Sequence, residues 1–306
     1  MLARSVLPGF DYVRAATPDE VVHLLQHGNS GGTAQDRDGV WLLMGGTDLL
    51  VRMRDGVIHP RLVVDVKHLP GIAEVAYNNR TGLTVGAAVT MNQLAGHPAV
   101  QAHYPLLAES ASSVASYQLR NRATLGGNLG NTSPAADTAP AVLLFEAAIV
   151  LYGPSGEREV PAAAFFLGPG RTAMQPGEFI TAIRFPPPPD GAVGRYLKLG
   201  RNRAGDLAIA GVAVLGFSDR LAPSGYRFRV GLASVAPVPL RAQEAELLLA
   251  NNPPGEEAFA AAAARAAAAA SPIDDVRASA AYRRAMVRNL TLRALRDVWA
   301  RLIAGS

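Results

Sequence analysis

A run of four prolines at residues 186–189 constrains this chain more than any other feature of its sequence. Proline cannot donate a backbone hydrogen bond, and its ring clashes with the preceding turn of a helix. The segment 183–189 is therefore predicted to be neither a helix nor a central strand, and to mark a domain boundary. With 306 residues, 49% of them hydrophobic, the chain can build a core on each side of it.

Helical and strand patterns alternate before the proline run. Thr17 and Glu20 form a capping box that predicts a short amphipathic helix. Apolar strands at residues 41–44 and 62–66 flank a short helical segment at 49–54. This order predicts a βαβ-like unit with parallel strands.

Further elements are predicted on both sides of the boundary. Residues 78–82 carry the turn signal of a hairpin. A second domain is expected to begin near Arg195. It starts with strands and ends with helices, predicted at residues 211–217, 227–234, 256–270 and 278–302.

The composition excludes several classes of protein. Cysteine is absent, which rules out disulfides, thiolate nucleophiles and cysteine-ligated iron–sulfur clusters in this chain, so redox chemistry here needs a borrowed cofactor. The net charge of +4 is too small to favour nucleic acid. Since no apolar run reaches the roughly 18 residues of a membrane span, we expect a soluble, cytoplasmic protein. Only two lysines occur, Lys67 and Lys198.

Two glycine pairs follow apolar or strand-like stretches and precede a small polar residue. They lie in residues 44–48 (Met-Gly-Gly-Thr-Asp) and 124–128 (Thr-Leu-Gly-Gly-Asn). Adjacent glycines permit positive φ angles and close backbone approach, so successive N–H groups can bind an anion such as a pyrophosphate. A helix starting after Asp48 would add the positive end of its dipole. Two ordinary tight turns are the alternative.

A lone carboxylate, Asp137, ends a stretch of small polar residues before an apolar helix pattern. It could accept a hydrogen bond from a ribose or ribityl hydroxyl. Its alternative role is that of a helix N-cap or first-turn acid.

Several ordered motifs resemble one family of flavoproteins. Residues 45–56, 120–129 and 133–137 are similar to the FAD-binding medium subunit of molybdenum hydroxylases, which include carbon monoxide dehydrogenase, xanthine dehydrogenase and aldehyde oxidoreductase. Residues 196–208 and 281–286 resemble the C-terminal domain of the same family.

The resemblance implies an α+β fold of the vanillyl-alcohol-oxidase-like, PCMH type. Two α/β subdomains, expected here at residues 1–60 and 61–185, would hold an extended FAD. A C-terminal domain of sheet and helices would cover residues 190–306.

The resemblance also implies a set of FAD contacts. Asp137 would contact FAD hydroxyls, and Lys198 would stabilise negative charge at N1 and the C2 carbonyl of the flavin ring. Ile180 would be an apolar neighbour of the ring. A surface salt bridge for Lys198 and simple core packing for Ile180 remain open. The two loops around the pyrophosphate would be formed by Met44, Gly45, Gly46, Thr47, Asp48, Leu49, Thr124, Gly126, Gly127 and Asn128.

Three positions depart from the family pattern. Met44, Gly130 and Thr132 stand where the family usually has alanine, so the contour of the pocket is expected to differ there. No residue matches a covalent attachment point, which implies a dissociable FAD.

The function implied by the resemblance is electron transfer. Substrate oxidation would occur at a molybdenum cofactor in a large partner subunit, and electrons would pass through two-iron two-sulfur clusters in a small partner subunit to FAD in this chain and then to an external acceptor. We expect no catalytic acid or base here, and a dimer of heterotrimers. The alternative is a non-catalytic assembly subunit of the same architecture that binds FAD weakly or not at all.

Other functions fit less well. Residues 28–32 match G-x-S-x-G, but they follow a predicted helix end, whereas a nucleophile elbow follows a strand. No G-x-G-x-x-G or P-loop motif occurs. The histidines lack metal-ligand spacing, so no metal is predicted. Seven arginines at 277–301 indicate a subunit interface or a solvated face, because no aromatic platforms accompany them.

Overall fold

The computed structural model describes residues 7–28, 39–202 and 205–304. These residues form an α+β molecule with three main sheets and a small two-stranded one. The polar loop after the first helix, including most of the G-x-S-x-G match, lies outside the described residues. Among the helices of the described ranges, none has the length and hydrophobicity needed to cross a bilayer.

The first sheet is parallel, as the sequence predicts. Its strands and helices are β1 (Asp11–Arg14), α1 (Pro18–Gly28), β2 (Val40–Leu43), α2 (Leu49–Arg54) and β3 (Leu62–Asp65). The strand order is β1-β3-β2, and Leu43 pairs with Asp65, so β2 and β3 end side by side. This sheet therefore extends to Asp65, beyond residue 60, where the first subdomain is expected to end.

The second sheet is antiparallel. Its strands are β4 (Val75–Asn78), β5 (Gly82–Gly86), β6 (Ala148–Gly153), β7 (Gly156–Pro161) and β10 (Phe179–Phe185), in the order β4-β5-β10-β6-β7. The predicted hairpin is confirmed, because Asn78 pairs with Gly82, whose φ is +88°.

Short helices connect β5 to β6, and a further short helix with a two-stranded ribbon connects β7 to β10. They are α3 (Met91–Gly96), α4 (Pro98–His103), α5 (Pro105–Ser112), α6 (Tyr117–Arg120), α7 (Leu125–Gly130), α8 (Ala139–Leu144), α9 (Ala162–Phe165), β8 (Phe166–Gly168) and β9 (Arg171–Thr172).

The proline run follows a central strand. The prediction that residues 183–189 contain no central strand is wrong for their first part, because β10 pairs with β5 on one side and β6 on the other. The last ladder pair with β5 is Phe185 with Leu83, and the prolines begin at Pro186. No proline therefore has to donate a hydrogen bond within the sheet.

The third sheet is antiparallel and lies after the prolines. It contains β11 (Val193–Leu199), β12 (Ala210–Ser218), β13 (Tyr226–Ala233) and β14 (Leu240–Arg241) in that order, followed by α10 (Gln243–Asn251), α11 (Glu256–Ala269) and α12 (Ala280–Ala304). The predicted order of strands and then helices is confirmed. α12 packs on the sheet through buried residues such as Leu295 and Leu302.

The second and third sheets share a core and an ionic interface. Tyr196 of the third sheet packs into the same hydrophobic cluster as the second sheet. Beside that cluster, Arg195 forms an ion pair with Glu109 of α5. Arg229 and Arg241 both bond to one acid, each at 2.9 Å, and that acid is Glu146.

Candidate functional site

The first glycine pair forms a loop at the carboxyl edge of the first sheet. Gly46 has a φ of +74°, a left-handed backbone conformation that favours glycine. Among the described residues, no hydrogen bond uses the N–H of Gly45, Gly46 or Thr47. Asp48 is exposed, whereas the Leu49 side chain packs in a small core under α2, away from the loop. The loop thus offers three consecutive donors.

The second glycine pair uses its amides differently. Thr124 caps α7, and its hydroxyl accepts the Gly127 N–H at 3.1 Å. The Gly126 N–H donates to the Ala87 carbonyl at 2.9 Å. Among the described residues the amides of the first pair are therefore unpaired, whereas the cap of α7 and the contact with Ala87 take both donors of the second pair.

Gly126 and Gly127 face opposite environments. A Cβ on Gly126 would lie 2.6 Å from the Cβ and 2.8 Å from the carbonyl oxygen of Ala87, so this glycine permits close packing inside the protein. A Cβ on Gly127 would meet only the Thr124 hydroxyl within 4 Å. Gly127 therefore leaves room for a bound group, and this open side together with the donors of the first loop fits a dinucleotide pyrophosphate.

The two loops are in contact although they are far apart in sequence. A Cβ on Gly45 would lie 2.2 Å from the carbonyl oxygen of Arg122 and 3.1 Å from the Cα of Ala123. The Thr124 hydroxyl lies 4.0 Å from the Met44 sulfur. Both glycine pairs thus border one region of the surface.

Helix α7 joins the second loop to two further predicted residues. The Asn128 side-chain oxygen accepts a hydrogen bond of 2.6 Å from the hydroxyl of Thr138, which follows Asp137. A Cβ on Gly130 would lie 3.3 Å from the Ile180 side chain, which is buried in β10. Glycine in place of alanine at position 130 therefore gives Ile180 space.

The other two departures from the family pattern lie at the second loop and after α7. The sulfur of Met44 contacts the second loop, as described above. Thr132 is buried and has a φ of +45°, an uncommon conformation for a β-branched residue.

Asp137 and Lys198 form a buried ion pair. The Lys198 Nζ lies 2.7 Å from Asp137 Oδ2 and donates a second bond, of 3.0 Å, to the Ser113 carbonyl. The side chain of Lys198 is 14% exposed and that of Asp137 is 5% exposed, so this salt bridge is not a surface one. Residue Thr138, not Asp137, occupies the N-cap of α8.

The charge of Asp137 depends on its partners. Burial raises the pKa of Asp137, while the Lys198 ammonium and the Tyr196 hydroxyl oppose that rise. Two of the three N–H donors of Lys198 are used within the described part of the chain, so the third can serve a ligand.

Sequence reasoning assigns no role to Tyr196. Its hydroxyl donates a 2.7 Å hydrogen bond to Asp137 Oδ1, and its ring is buried. A Cβ on Gly211 would lie 2.4 Å from the Tyr196 hydroxyl oxygen, so glycine there admits the side chain. The available signal is the i, i+2 spacing of Tyr196 and Lys198, which places both on one face of a strand.

Comparison with known proteins identifies two domains. The FAD binding domain in molybdopterin dehydrogenase matches residues 8–188, and the CO dehydrogenase flavoprotein C-terminal domain matches residues 195–298.

Relatives match over almost the whole chain. The carbon monoxide dehydrogenase medium chain of Hydrogenophaga pseudoflava is 36% identical over 96% of this chain and 98% of its own length. The xanthine dehydrogenase FAD-binding subunit of Escherichia coli O157:H7 is 31% identical over 94% of each chain.

A solved structure has the same fold. Carbon monoxide dehydrogenase from Hydrogenophaga pseudoflava, in a form that lacks the Mo-pyranopterin moiety of its cofactor, matches with a TM-score of 0.89 at 36% identity, covering 97% of this chain and 99% of that one. These matches confirm the resemblance found in the motifs. The chain therefore belongs to the FAD-binding medium subunits of the molybdenum hydroxylases, a family of oxidoreductase subunits.

Proposed function

We propose that this chain carries electrons from two-iron two-sulfur clusters of a small partner subunit, through a non-covalently bound FAD, to an external acceptor. A large partner subunit would hold the molybdenum cofactor, and two such heterotrimers would pair. The proposal is supported by relatives named as a medium chain and as an FAD-binding subunit.

One observation carries the proposal. A continuous path of contacts runs from Gly45 to the Arg122 carbonyl, from Thr124 along α7 to Thr138, and from Asp137 to Lys198. The path joins both glycine loops to the Asp137–Lys198 pair at the domain interface. It combines amide donors, open backbone at Gly127 and a positive charge, which suit an extended dinucleotide.

Each end of this path has a distinct task. The N–H groups of Gly45, Gly46 and Thr47 would bind the diphosphate, and Gly127 would allow its approach. Ile180 would pack against the flavin, while the spare N–H of Lys198 would face its N1 and C2 carbonyl. Bound FAD supplies the conversion between one-electron and two-electron transfer. The residues of this chain bind and orient it, so none needs to act as an acid or base on the substrate.

Gly126 and Gly127 provide a matched test of the pyrophosphate site. Gly127→Ala should lower the FAD-to-protein ratio of the purified chain with little loss of thermal stability, because the new methyl group enters open space and displaces only a cap hydroxyl. Gly126→Ala should instead destabilise the fold by about 1–3 kcal/mol, because its methyl group overlaps the Ala87 backbone. Full FAD occupancy in Gly127→Ala would contradict this placement.

Lys198 can be tested against the other lysine. Lys198→Met should make the bound flavin harder to reduce, because a positive charge near the ring stabilises its reduced form. Lys67→Met removes the same charge elsewhere and should leave the flavin potential unchanged. Equal potentials in both variants would contradict the role of Lys198.

The composition of the purified complex distinguishes an electron-transfer subunit from a non-catalytic assembly subunit. Co-purification should recover a molybdenum-containing large subunit and an iron-containing small subunit with a yellow, FAD-loaded medium subunit. A colourless chain that assembles with both partners and takes up no FAD would support the non-catalytic reading.

We also propose domain limits. The C-terminal domain would begin at residue 190, as expected from the sequence. The first subdomain would end after Asp65 instead of residue 60, because β3 hydrogen-bonds to both β1 and β2.

A further inference from the structure

We propose that Tyr196 is a positioning residue that acts through Asp137 to hold Lys198 at the flavin. This inference rests on the proposed function, since it concerns the same lysine. Tyr196 and Lys198 lie two residues apart on β11, in the second domain, whereas Asp137 precedes α8 in the first. One carboxylate therefore receives two donors from one strand.

The two donors bind different oxygens of Asp137. Tyr196 donates to Oδ1 at 2.7 Å, and Lys198 donates to Oδ2 at 2.7 Å. A carboxylate anchored at both oxygens cannot rotate about its Cβ–Cγ bond without breaking one bond. Since Asp137 is 4% exposed, water has little access to replace a lost donor. Removal of the tyrosine hydroxyl thus frees the oxygen that fixes the plane of the carboxylate.

Tyr196 is itself held firmly. Its backbone N–H donates to Glu109 Oε2 at 2.7 Å, its ring is buried, and the absence of a side chain at Gly211 gives it space. Because both its backbone and its hydroxyl are hydrogen-bonded, Tyr196 fixes the position of the Asp137 carboxylate relative to β11. Lys198 has a flexible four-carbon side chain, so the position of its ammonium depends on the bonds to Asp137 and Ser113.

Tyr196→Phe removes only the hydroxyl of this side chain. Because the chain contains two lysines, the rate of amine labelling at Lys198 can be compared directly with the rate at Lys67. Reductive methylation of the full-length chain without FAD, followed by mass spectrometry, measures Lys67 and Lys198 separately. In Tyr196→Phe, Lys198 should be labelled on the order of tenfold faster, the factor typical of one lost hydrogen bond to a charged group. The rate at Lys67 should not change.

Tyr12→Phe is the matched control, because the Tyr12 hydroxyl bonds to Asp65, the carboxylate that pairs with Lys67. It should accelerate labelling at Lys67 and leave Lys198 unchanged. An unchanged Lys198 rate in Tyr196→Phe would overturn the proposal. Acceleration at both lysines in Tyr196→Phe would also overturn it, because it would show general loosening of the fold.

The flavin potential of the FAD-loaded chain provides the second readout. Tyr196→Phe should move the potential part of the way towards the value of Lys198→Met, with FAD content retained. In the Lys198→Met background, Tyr196→Phe should cause no further shift, because the residue through which it acts is gone. An equal shift in both backgrounds would overturn the proposal.

Failure of the proposed function gives a different pattern. If Lys198→Met leaves the flavin potential unchanged, the role of Lys198 at the flavin is contradicted, and with it the flavin half of this inference. The labelling rates still decide whether Tyr196 holds Lys198. If Tyr196→Phe is too unstable to label, the labelling is repeated in a stabilising osmolyte such as sucrose, where the same selective acceleration at Lys198 is expected and an unchanged rate would overturn the proposal.

Discussion

Both lysines of the protein belong to a tyrosine–aspartate–lysine cluster. The two aspartates are equally buried, at 3% and 4% exposed, so the clusters differ in the arrangement and exposure of their donors. At the first sheet, Tyr12 and Lys67 donate to the same oxygen of Asp65, at 2.6 and 2.7 Å. At the domain interface, the hydroxyl and the ammonium bind opposite oxygens of Asp137, as described above. The first tyrosine is 51% exposed and Tyr196 only 4%.

The pKa values of the two aspartates shift in opposite directions. Desolvation pushes the pKa of Asp65 upward, but hydrogen bonds from Lys67 and Tyr12 outweigh it, and the pKa is lowered. For Asp137, desolvation prevails over its two partners, and the pKa is raised. The same three groups therefore favour the charged form of the aspartate in one place and leave it a costly buried charge in the other.

Removal of either aspartate charge gives the largest expected difference. Asp137→Asn leaves the Lys198 ammonium buried without its counter-charge and should lower the free energy of unfolding by about 3 kcal/mol. Asp65→Asn should cost about 1 kcal/mol or less, because Lys67 can turn to solvent. Urea unfolding of the FAD-free chain measures both, and equal losses would remove the distinction between the clusters.

The tyrosine hydroxyls should differ in the same direction. Tyr196→Phe leaves a buried oxygen of Asp137 without its donor and should cost about 1–2 kcal/mol. Tyr12→Phe should be the milder change, since Lys67 still donates to the same oxygen of Asp65. Thermal unfolding of both variants compares them, and a larger loss in Tyr12→Phe would contradict this difference between the clusters.

The contributions of Asp65 and Asp137 to the free energy of unfolding should change with pH in opposite directions. Both aspartates titrate near pH 3.9 when unfolded. Because the folded pKa of Asp65 is lowered, its contribution is present above about pH 4 and is lost as the pH falls through the folded pKa. The folded pKa of Asp137 is raised, so its contribution is present below about pH 4 and is lost as the pH rises through the folded pKa.

Unfolding free energies measured between about pH 3 and pH 7 can separate the two. On acidification, the difference between the unmodified chain and Asp65→Asn should shrink, while the difference from Asp137→Asn should grow. Parallel trends would contradict opposite pKa shifts for the two aspartates.

Salt should produce the smallest effect. Raising the ionic strength from about 0.1 to 1 M shortens the screening length from about 10 to 3 Å. The loss of unfolding free energy caused by Asp65→Asn should fall by roughly 0.3 kcal/mol, because Lys67 is partly solvated. The cost of Asp137→Asn should stay constant, and a comparable fall there would indicate water at the interface cluster.

Short-range signals in the sequence predict the elements that neighbouring residues determine. Thr17 accepts the Glu20 N–H at the start of α1, and the Asn78 to Gly82 turn closes a hairpin. The sequence prediction extends the strand-breaking effect of the prolines too far towards the N-terminus. Proline restricts itself and the residue before it, so β10 can continue in regular pairing up to Phe185.

Contacts between distant segments are much harder to predict. The motifs locate both glycine loops, yet sequence alone does not show that Gly45 rests on the Arg122 carbonyl or that the Gly126 and Gly127 amides are already used. Periodicity places Tyr196 and Lys198 on one face of a strand. It does not reveal that the facing group is a carboxylate from another domain.

The ion pairs between the two domains neutralise buried and half-buried charges in addition to the hydrophobic packing. Glu109, Asp137 and Glu146 all precede the proline run, and their cationic partners all follow it. A fragment cut at the prolines would keep three carboxylates and lose every one of those cations. These carboxylates would then lie without their counter-charges on a newly exposed surface, so the fragment should be less stable than the intact chain and should acquire a more acidic face.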